Sequence, residues 1–200
     1  MAIGRQRLRR GEGTVWGARL AWLLLYGLAA IGAFADGAEA QKPSRDDVEA
    51  AYLYNFGKFV RWPESAGHTP MLVCVLGQDS LGQTISKLVE GEQINGRPLV
   101  ERNLNRPDGV GDCSILFIGS TERAHVVETL TATEGKPILT VGDAPDFLEQ
   151  GGMIEFVQVE DHVRFSVNLD ECTRHRVAVS SELLKVAVTI RGKRETGGVK

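Results

Sequence analysis

The chain has 200 residues, 42% of them hydrophobic, with 23 Lys and Arg against 26 Asp and Glu, for a formal net charge of -3. Such a balance argues against nucleic acid as a partner, because phosphate recognition needs a basic face. Three cysteines and four histidines are scattered through it, with no two cysteines at metal-ligand spacing.

The first 40 residues read as an export signal. Arg5, Arg7, Arg9, Arg10 and Arg19 form a positive n-region, residues 20–31 form an apolar run, and Ala38-Glu39-Ala40 offers an A-x-A cleavage site. The competing reading is an uncleaved anchor, but the apolar run is short of the roughly 20 residues a span requires. Arg9-Arg10 gives twin-arginine export little support, since Gly11-Glu12-Gly13 follows it. No later apolar segment approaches membrane length. Cleavage would leave 18 basic and 23 acidic residues, moving the net charge from -3 to -5. The remaining length suits one domain with a sizeable core.

Residues 41–45 read as a flexible leader. Ser44 with Asp47 forms a capping-box signal for a helix. Val48, Ala51, Tyr52, Phe56, Phe59 and Val60 recur at helical spacing, and Pro63 is expected to end the helix. Five of the nine aromatic residues after position 40 lie in residues 51–64. An amphipathic helix that buries Tyr52, Phe56 and Phe59 explains most of them. Tyr54 lies off that stripe. Lys58, Arg61 and Trp62 at the helix exit are candidates for a functional surface.

Residues 71–77 are a continuous apolar run, the pattern of a strand buried on both faces. Asp79 is expected to cap a helix with Leu81, Ile85, Leu88 and Val89 on one side. Asn95-Gly96 marks a turn before a strand over residues 98–103. Residues 113–119 form a second apolar strand, followed by a helix capped by Ser120 or Thr121 and carrying Val126, Val127 and Leu130. Residues 137–143 form a third apolar strand. Asp146 is expected to open a short helix that Gly151-Gly152 terminates. Residues 153–159 and 162–169 then alternate around Glu160-Asp161, as in an antiparallel hairpin with one wet face. A short turn or helix covers residues 170–176, and a further strand lies near residue 178. Ser180 or Ser181 caps a last helix with Leu183, Leu184, Val186, Ala187 and Ile190. Residues 191–200 are a polar tail. Together these elements predict a three-layer, doubly wound α/β fold with a mostly parallel sheet and the hairpin at one edge. Such sheets bind ligands at the carboxyl ends of their strands.

Common enzyme motifs are missing. There is no G-x-G-x-x-G, Walker loop, G-x-S-x-G or H-E-x-x-H. His68, His125, His162 and His175 sit mostly in polar contexts, as surface residues do. Asp143, at the end of an apolar strand, is either a functional acid or a cap for the segment that follows. Arg174-His175-Arg176 is either an anion-binding cluster or a solvated turn. An enzyme would need such groups gathered in one cleft, and the sequence offers them only singly. No cofactor and no metal are expected. Cys74 and Cys113 lie in or beside strands expected to be central, so they are either a disulfide or two buried thiols. Export to an oxidising compartment favours the bridge. Cys172 has no evident partner.

The ordered series AYLYNFGKFVRWPE, VCVLGQDSLGQTI, INGRPLVERN, CSILFIGSTE, ILTVGDAPDFLEQGGMIEFV, VRFSVNLDEC and VSSELLKVA resembles the YfiR family over residues 46–190. The resemblance implies a non-catalytic periplasmic protein of a Gram-negative cell that binds the sensor region of an inner-membrane diguanylate cyclase. Such binding represses the cyclase, lowering cyclic diguanylate and biofilm formation. Related domains fused to sensor kinases support an alternative, a periplasmic small-ligand sensor serving a kinase or transport system. The resemblance also implies that a homodimer and redox sensitivity are open to this chain, since family members can be dimeric and redox-sensitive. Cys74 and Cys113 match a family disulfide. A second family pair is missing, with Phe147 and Phe156 in that region, which puts redox control by that bridge in doubt. The resemblance makes Lys58, Arg61 and Trp62 the first candidates for partner or ligand contact. Asp143, Arg174, His175 and Arg176 follow. Direct membrane insertion after signal cleavage is not expected.

Overall fold

A computed structural model describes residues 42–64, 70–77 and 79–192. The export signal, residue 41 of the leader, His68 and residues 193–200 of the tail lie outside them.

Helix α1 (Arg45–Phe59) begins as the Ser44 signal predicts. The Ser44 hydroxyl accepts from the Asp47 amide at 3.1 Å, and Asp47 Oδ2 accepts from the Ser44 amide at 2.9 Å. Its buried face runs through Glu49, Ala50, Leu53, Phe56 and Gly57, slightly rotated from the predicted stripe. Phe59 is consequently 40% exposed. Gly57 lets α1 approach the sheet, since a Cβ there would lie 2.6 Å from Ile94 Cδ1. The helix ends at Phe59 and not at Pro63. Val60 is already extended, because β1 (Val60–Arg61) pairs antiparallel with β9 (Ala178–Val179).

The large sheet has the order β10-β8-β7-β6-β5-β2-β4-β3. β2 (Met71–Leu76), β5 (Ile115–Ile118) and β6 (Leu139–Gly142) are parallel and buried at every position. Their apolar runs follow from helices and turns covering both faces. β4 (Arg97–Leu104) runs parallel to β2 on its other side, and β3 (Gln93–Ile94) folds onto it through the Asn95-Gly96 turn. The expected hairpin is β7 (Ile154–Val159) with β8 (His162–Asn168), antiparallel and in register from Ile154↔Val167 to Val159↔His162. It does not form the sheet edge. β10 (Ile190–Arg191) adds parallel to β8 outside it. Ile190 therefore belongs to a strand, not to the last helix.

One face of the sheet is covered by α1, α2 (Asp79–Val89), α4 (Leu169–Arg174) and α5 (Ser181–Val186). Asp79 is the first residue of α2; its predicted capping side chain lies outside the description. α5 is capped by Ser180, whose hydroxyl accepts from the Leu183 amide at 3.2 Å. The other face packs on the 3-10 turn at Pro107–Asp112 and on α3 (Val126–Ala132), which follows a 3-10 turn at Ser120–His125. Ser120 and Thr121 thus open a 3-10 turn, and Val127 is 60% exposed rather than on the packed stripe. Residues 145–151 are turns instead of the expected helix, with Asp146 at φ 61°. That path drives Phe147 into the core. Its ring lies against Gly142 and Gly152, where a Cβ would collide with it.

Candidate functional site

The parallel strands present their carboxyl ends along one rim, and the order reverses between β2 and β5. In open α/β sheets this switch point is where ligands bind. Here residues 119–122 fold back onto the end of β2. Thr121 Oγ1 donates to the Gly77 carbonyl, and the Gly119 amide donates to the Leu76 carbonyl at 3.0 Å. The Glu122 side chain lies over Gly77 so closely that a Cβ there would overlap it. Glu122 Oε2 is 3.0 Å from His125 Nδ1.

Beside this turn, Asp143 leaves the end of β6. Its Oδ1 accepts from the Ser120 amide at 2.6 Å, and its Oδ2 accepts from Ser120 Oγ and Arg45 Nη2, both at 3.2 Å. Asp143 therefore caps a turn on the neighbouring strand, not the segment that follows it. Arg45 also donates from Nε to Glu49 Oε1 at 2.6 Å. The Glu49 side chain is 3% exposed. Burial pushes its carboxyl up to about 6, with Arg45 pulling the other way. One guanidinium thus serves two carboxylates and ties the first turn of α1 to the ends of β5 and β6. The sequence singles out Asp143 as a candidate. Arg45, Glu49 and Ser120 were missed, because nothing local shows that residue 45 meets residue 143.

At the exit of α1 the candidates separate. Lys58 Nζ stands 4.0 Å from the centroid of the Tyr54 ring, and the Tyr54 hydroxyl donates to Glu92 Oε2 at 2.6 Å. Lys58 and Arg61 are exposed. Trp62 is half-buried, packs on the core and donates from Nε1 to the Ser114 carbonyl at 3.2 Å. Its indole N–H is used inside the fold.

The Arg174-His175-Arg176 cluster is dispersed. Arg174 pairs with Glu171 at 2.9 Å. His175 is 6% exposed, against the surface position expected, with Nδ1 2.9 Å from the Lys136 carbonyl. Arg176 adopts φ 59° and donates to the Gly135 carbonyl at 3.1 Å. The turn clasps the loop before β6, with Arg174 and Arg176 exposed and His175 buried. His125 and His162 are exposed as expected. Among the described residues, no three of His, Cys, Asp and Glu group to hold a metal ion.

Cys74 and Cys113 form a disulfide with Cα atoms 5.8 Å apart. They are not register neighbours. Cys74 pairs with Leu116 in the ladder, so the bridge reaches back into the approach to β5. Cys172 is free and buried, and burial pushes its thiol up to about 12. Phe147 and Phe156 are both buried in the core.

No curated protein matches the chain. Among solved structures it is similar to a conserved domain protein from Vibrio cholerae O1 biovar eltor, with TM-score 0.52 at 10% identity. That match covers 74% of this chain and spans only 60% of the other. The ABC domain from Streptococcus pneumonia in complex with L-Trp aligns at TM-score 0.46 and 8% identity, over 60% of this chain and 55% of that one. At 10% identity the likeness to the Vibrio cholerae protein concerns the fold alone. The family model described as YfiR/HmsC-like matches residues 46–188. The chain belongs to the YfiR/HmsC-like family.

Proposed function

We propose that the protein is a non-catalytic periplasmic regulator that binds the periplasmic region of an inner-membrane diguanylate cyclase and restrains it. The observation that carries this reading is the family match over residues 46–188, since that family suggests regulation of diguanylate cyclase signalling rather than catalysis. Two structural observations support it. The polar groups at the strand ends bond one another, and no described helix is long and apolar enough to cross a membrane. In this reading residues 1–40 are a cleaved export signal and residues 46–190 the regulatory domain. Lys58 and Arg61, exposed beside the half-buried Trp62, form part of the contact with the cyclase. A small-ligand sensor would bind at the switch point, where Thr121 bonds to Gly77 and Glu122 lies over it.

The test is cyclic diguanylate in cells. Deleting the gene should raise it, and the intact gene should restore it. A Lys58→Glu/Arg61→Glu variant of unchanged melting temperature should fail to restore it. Unchanged cyclic diguanylate on deletion removes the reading.

A further inference from the structure

The outer edge of β4 is open over most of its length. β3 pairs only with Arg97 and Pro98, and the Leu99 amide then donates to the Glu92 carbonyl at 3.0 Å. From residue 100 to residue 104, β4 has β2 on one side and no described strand on the other. Backbone N–H and C=O groups alternate in direction along a strand. Leu99 points its amide outward, so Glu101 and Asn103 also present theirs at the free edge.

The side chains on this register face α2. Leu99 is buried, and Asn103 lies against Gly82 of α2. Between them Glu101 enters a depression of ≈ 360 Å³ lined by Ser86, Lys87, Glu90 and Leu99, none of which bonds its Oε1. Its Oε1 is shielded from solvent and has no hydrogen-bond partner. Burial raises its carboxyl above the ordinary range. Buried polar atoms are nearly always satisfied, so an orphan at an open sheet edge points to a donor supplied from outside.

We propose that this edge takes up an extended segment of another protein, added antiparallel to β4, with a lysine or arginine opposite Glu101. In such a hydrogen-bonded pair the opposed side chains share a face, with Cα atoms about 5.5 Å apart. The incoming cation enters the depression and satisfies Oε1, while main-chain bonds form at Glu101 and Asn103. A strand with an apolar residue there leaves the carboxylate buried and unpaired. The same group therefore rejects indiscriminate edge pairing and selects its partner. A second copy of this chain does not fit. Two-fold antiparallel pairing sets odd positions against odd positions, so Glu101 would face Glu101, Asn103 or Asn105 of the other copy. Reaching Arg97 requires the edge that β3 already holds. The inference goes beyond the cyclase reading and does not depend on it.

Random peptides displayed on phage and selected on the purified protein provide the probe. Enriched sequences should carry lysine or arginine flanked by β-branched residues. Glu101→Gln should weaken the selected peptides about tenfold or more, the scale of a hydrogen bond to a charged group. Glu101→Lys, checked for an unchanged melting temperature, should switch enrichment to aspartate or glutamate. Hydrogen exchange with a selected peptide bound should slow at the Glu101 and Asn103 amides. The proposal is overturned by enrichment indifferent to Glu101, by no enrichment, by protection elsewhere, or by a Glu101-dependent dimer in sedimentation. Any of these with cyclic diguanylate control intact sinks the edge site and spares the regulatory reading.

Discussion

The two faces of the sheet are secured by different means. Beneath α1 the core is aromatic, with Tyr52, Phe56, Phe117, Phe156 and Phe165 at ring-centroid distances of 5.3 to 6.2 Å. A 15-residue helix lies over it. The opposite face has a seven-residue helix and 3-10 turns, packing Leu72, Leu76, Val110, Leu116 and Leu130. The disulfide belongs to this thinner face. Short helices are marginal by themselves and bury little area. A cross-link from β2 to the approach of β5 supplies there what packing supplies on the aromatic face.

The comparison is broken most directly at Phe56. Phe56→Ala removes a fully buried ring from the aromatic face and should cost about 5 kcal/mol in chemical denaturation. Leu130→Ala on the thin face should cost about 2 kcal/mol, and equal costs would dissolve the distinction. Cys74→Ala with Cys113→Ala opens a loop spanning a sequence separation of 39 and should cost about 4 kcal/mol. Hydrogen exchange should then accelerate in α3 and the Pro107–Asp112 turn before it does in α1. With the bridge intact, the native protein should label at no cysteine, because Cys172 is buried. Denaturation without reductant should expose Cys172 alone. Labelling of Cys74 would remove the bridge.

Smaller effects sharpen the picture at the rim. Glu49 is held at about 6, above its ordinary 4.5, so the folded chain binds that proton more tightly than the unfolded one. The stabilisation it contributes is complete below 4.5 and is lost as pH rises through 6. The difference between these values corresponds to about 2 kcal/mol. Glu49→Gln should remove that slope, gaining about 2 kcal/mol on the parent between about pH 4 and about pH 7.5. A gain that does not change with pH would mean the carboxylate is paired at no net cost. Least of all, Ser44→Ala removes the capping hydroxyl and should cost about 1 kcal/mol. Unchanged stability would mean that the Arg45 network alone fixes the start of α1.

The strands were legible because burial on both faces leaves no alternative to a continuous apolar run. That holds for β2, β5 and β6. The hairpin and the Ser44 and Ser180 caps were equally plain, each resting on local chemistry. What escaped depended on distant chain. The face of α1 was misplaced because Glu49 and Gly57 look like solvent positions until Arg45 and Ile94 meet them. The 145–151 segment has helical composition, yet the fit of Phe147 between two glycines overrides it. His175 looked like part of a basic surface and is buried because a carbonyl 39 positions earlier accepts it. Trp62 looked like an anchor, and its N–H is taken by Ser114. Glu101 gave no signal, since only the shortness of β3 leaves its edge free.

The partners of α1 arrive very late in the chain. The Tyr52 hydroxyl donates to the Val163 carbonyl, 111 positions away, and Val60 waits for Val179. The first described helix in the chain is therefore among the last to be covered. Long loops must close before its ring cluster forms, which slows folding and leaves an apolar stripe bare meanwhile. A nascent or truncated chain ending before residue 162 presents that stripe as a binding mark for chaperones and proteases. Docking of β8 and β9 onto α1 hides it, so concealment of Phe56 reports that the chain has been made through residue 179.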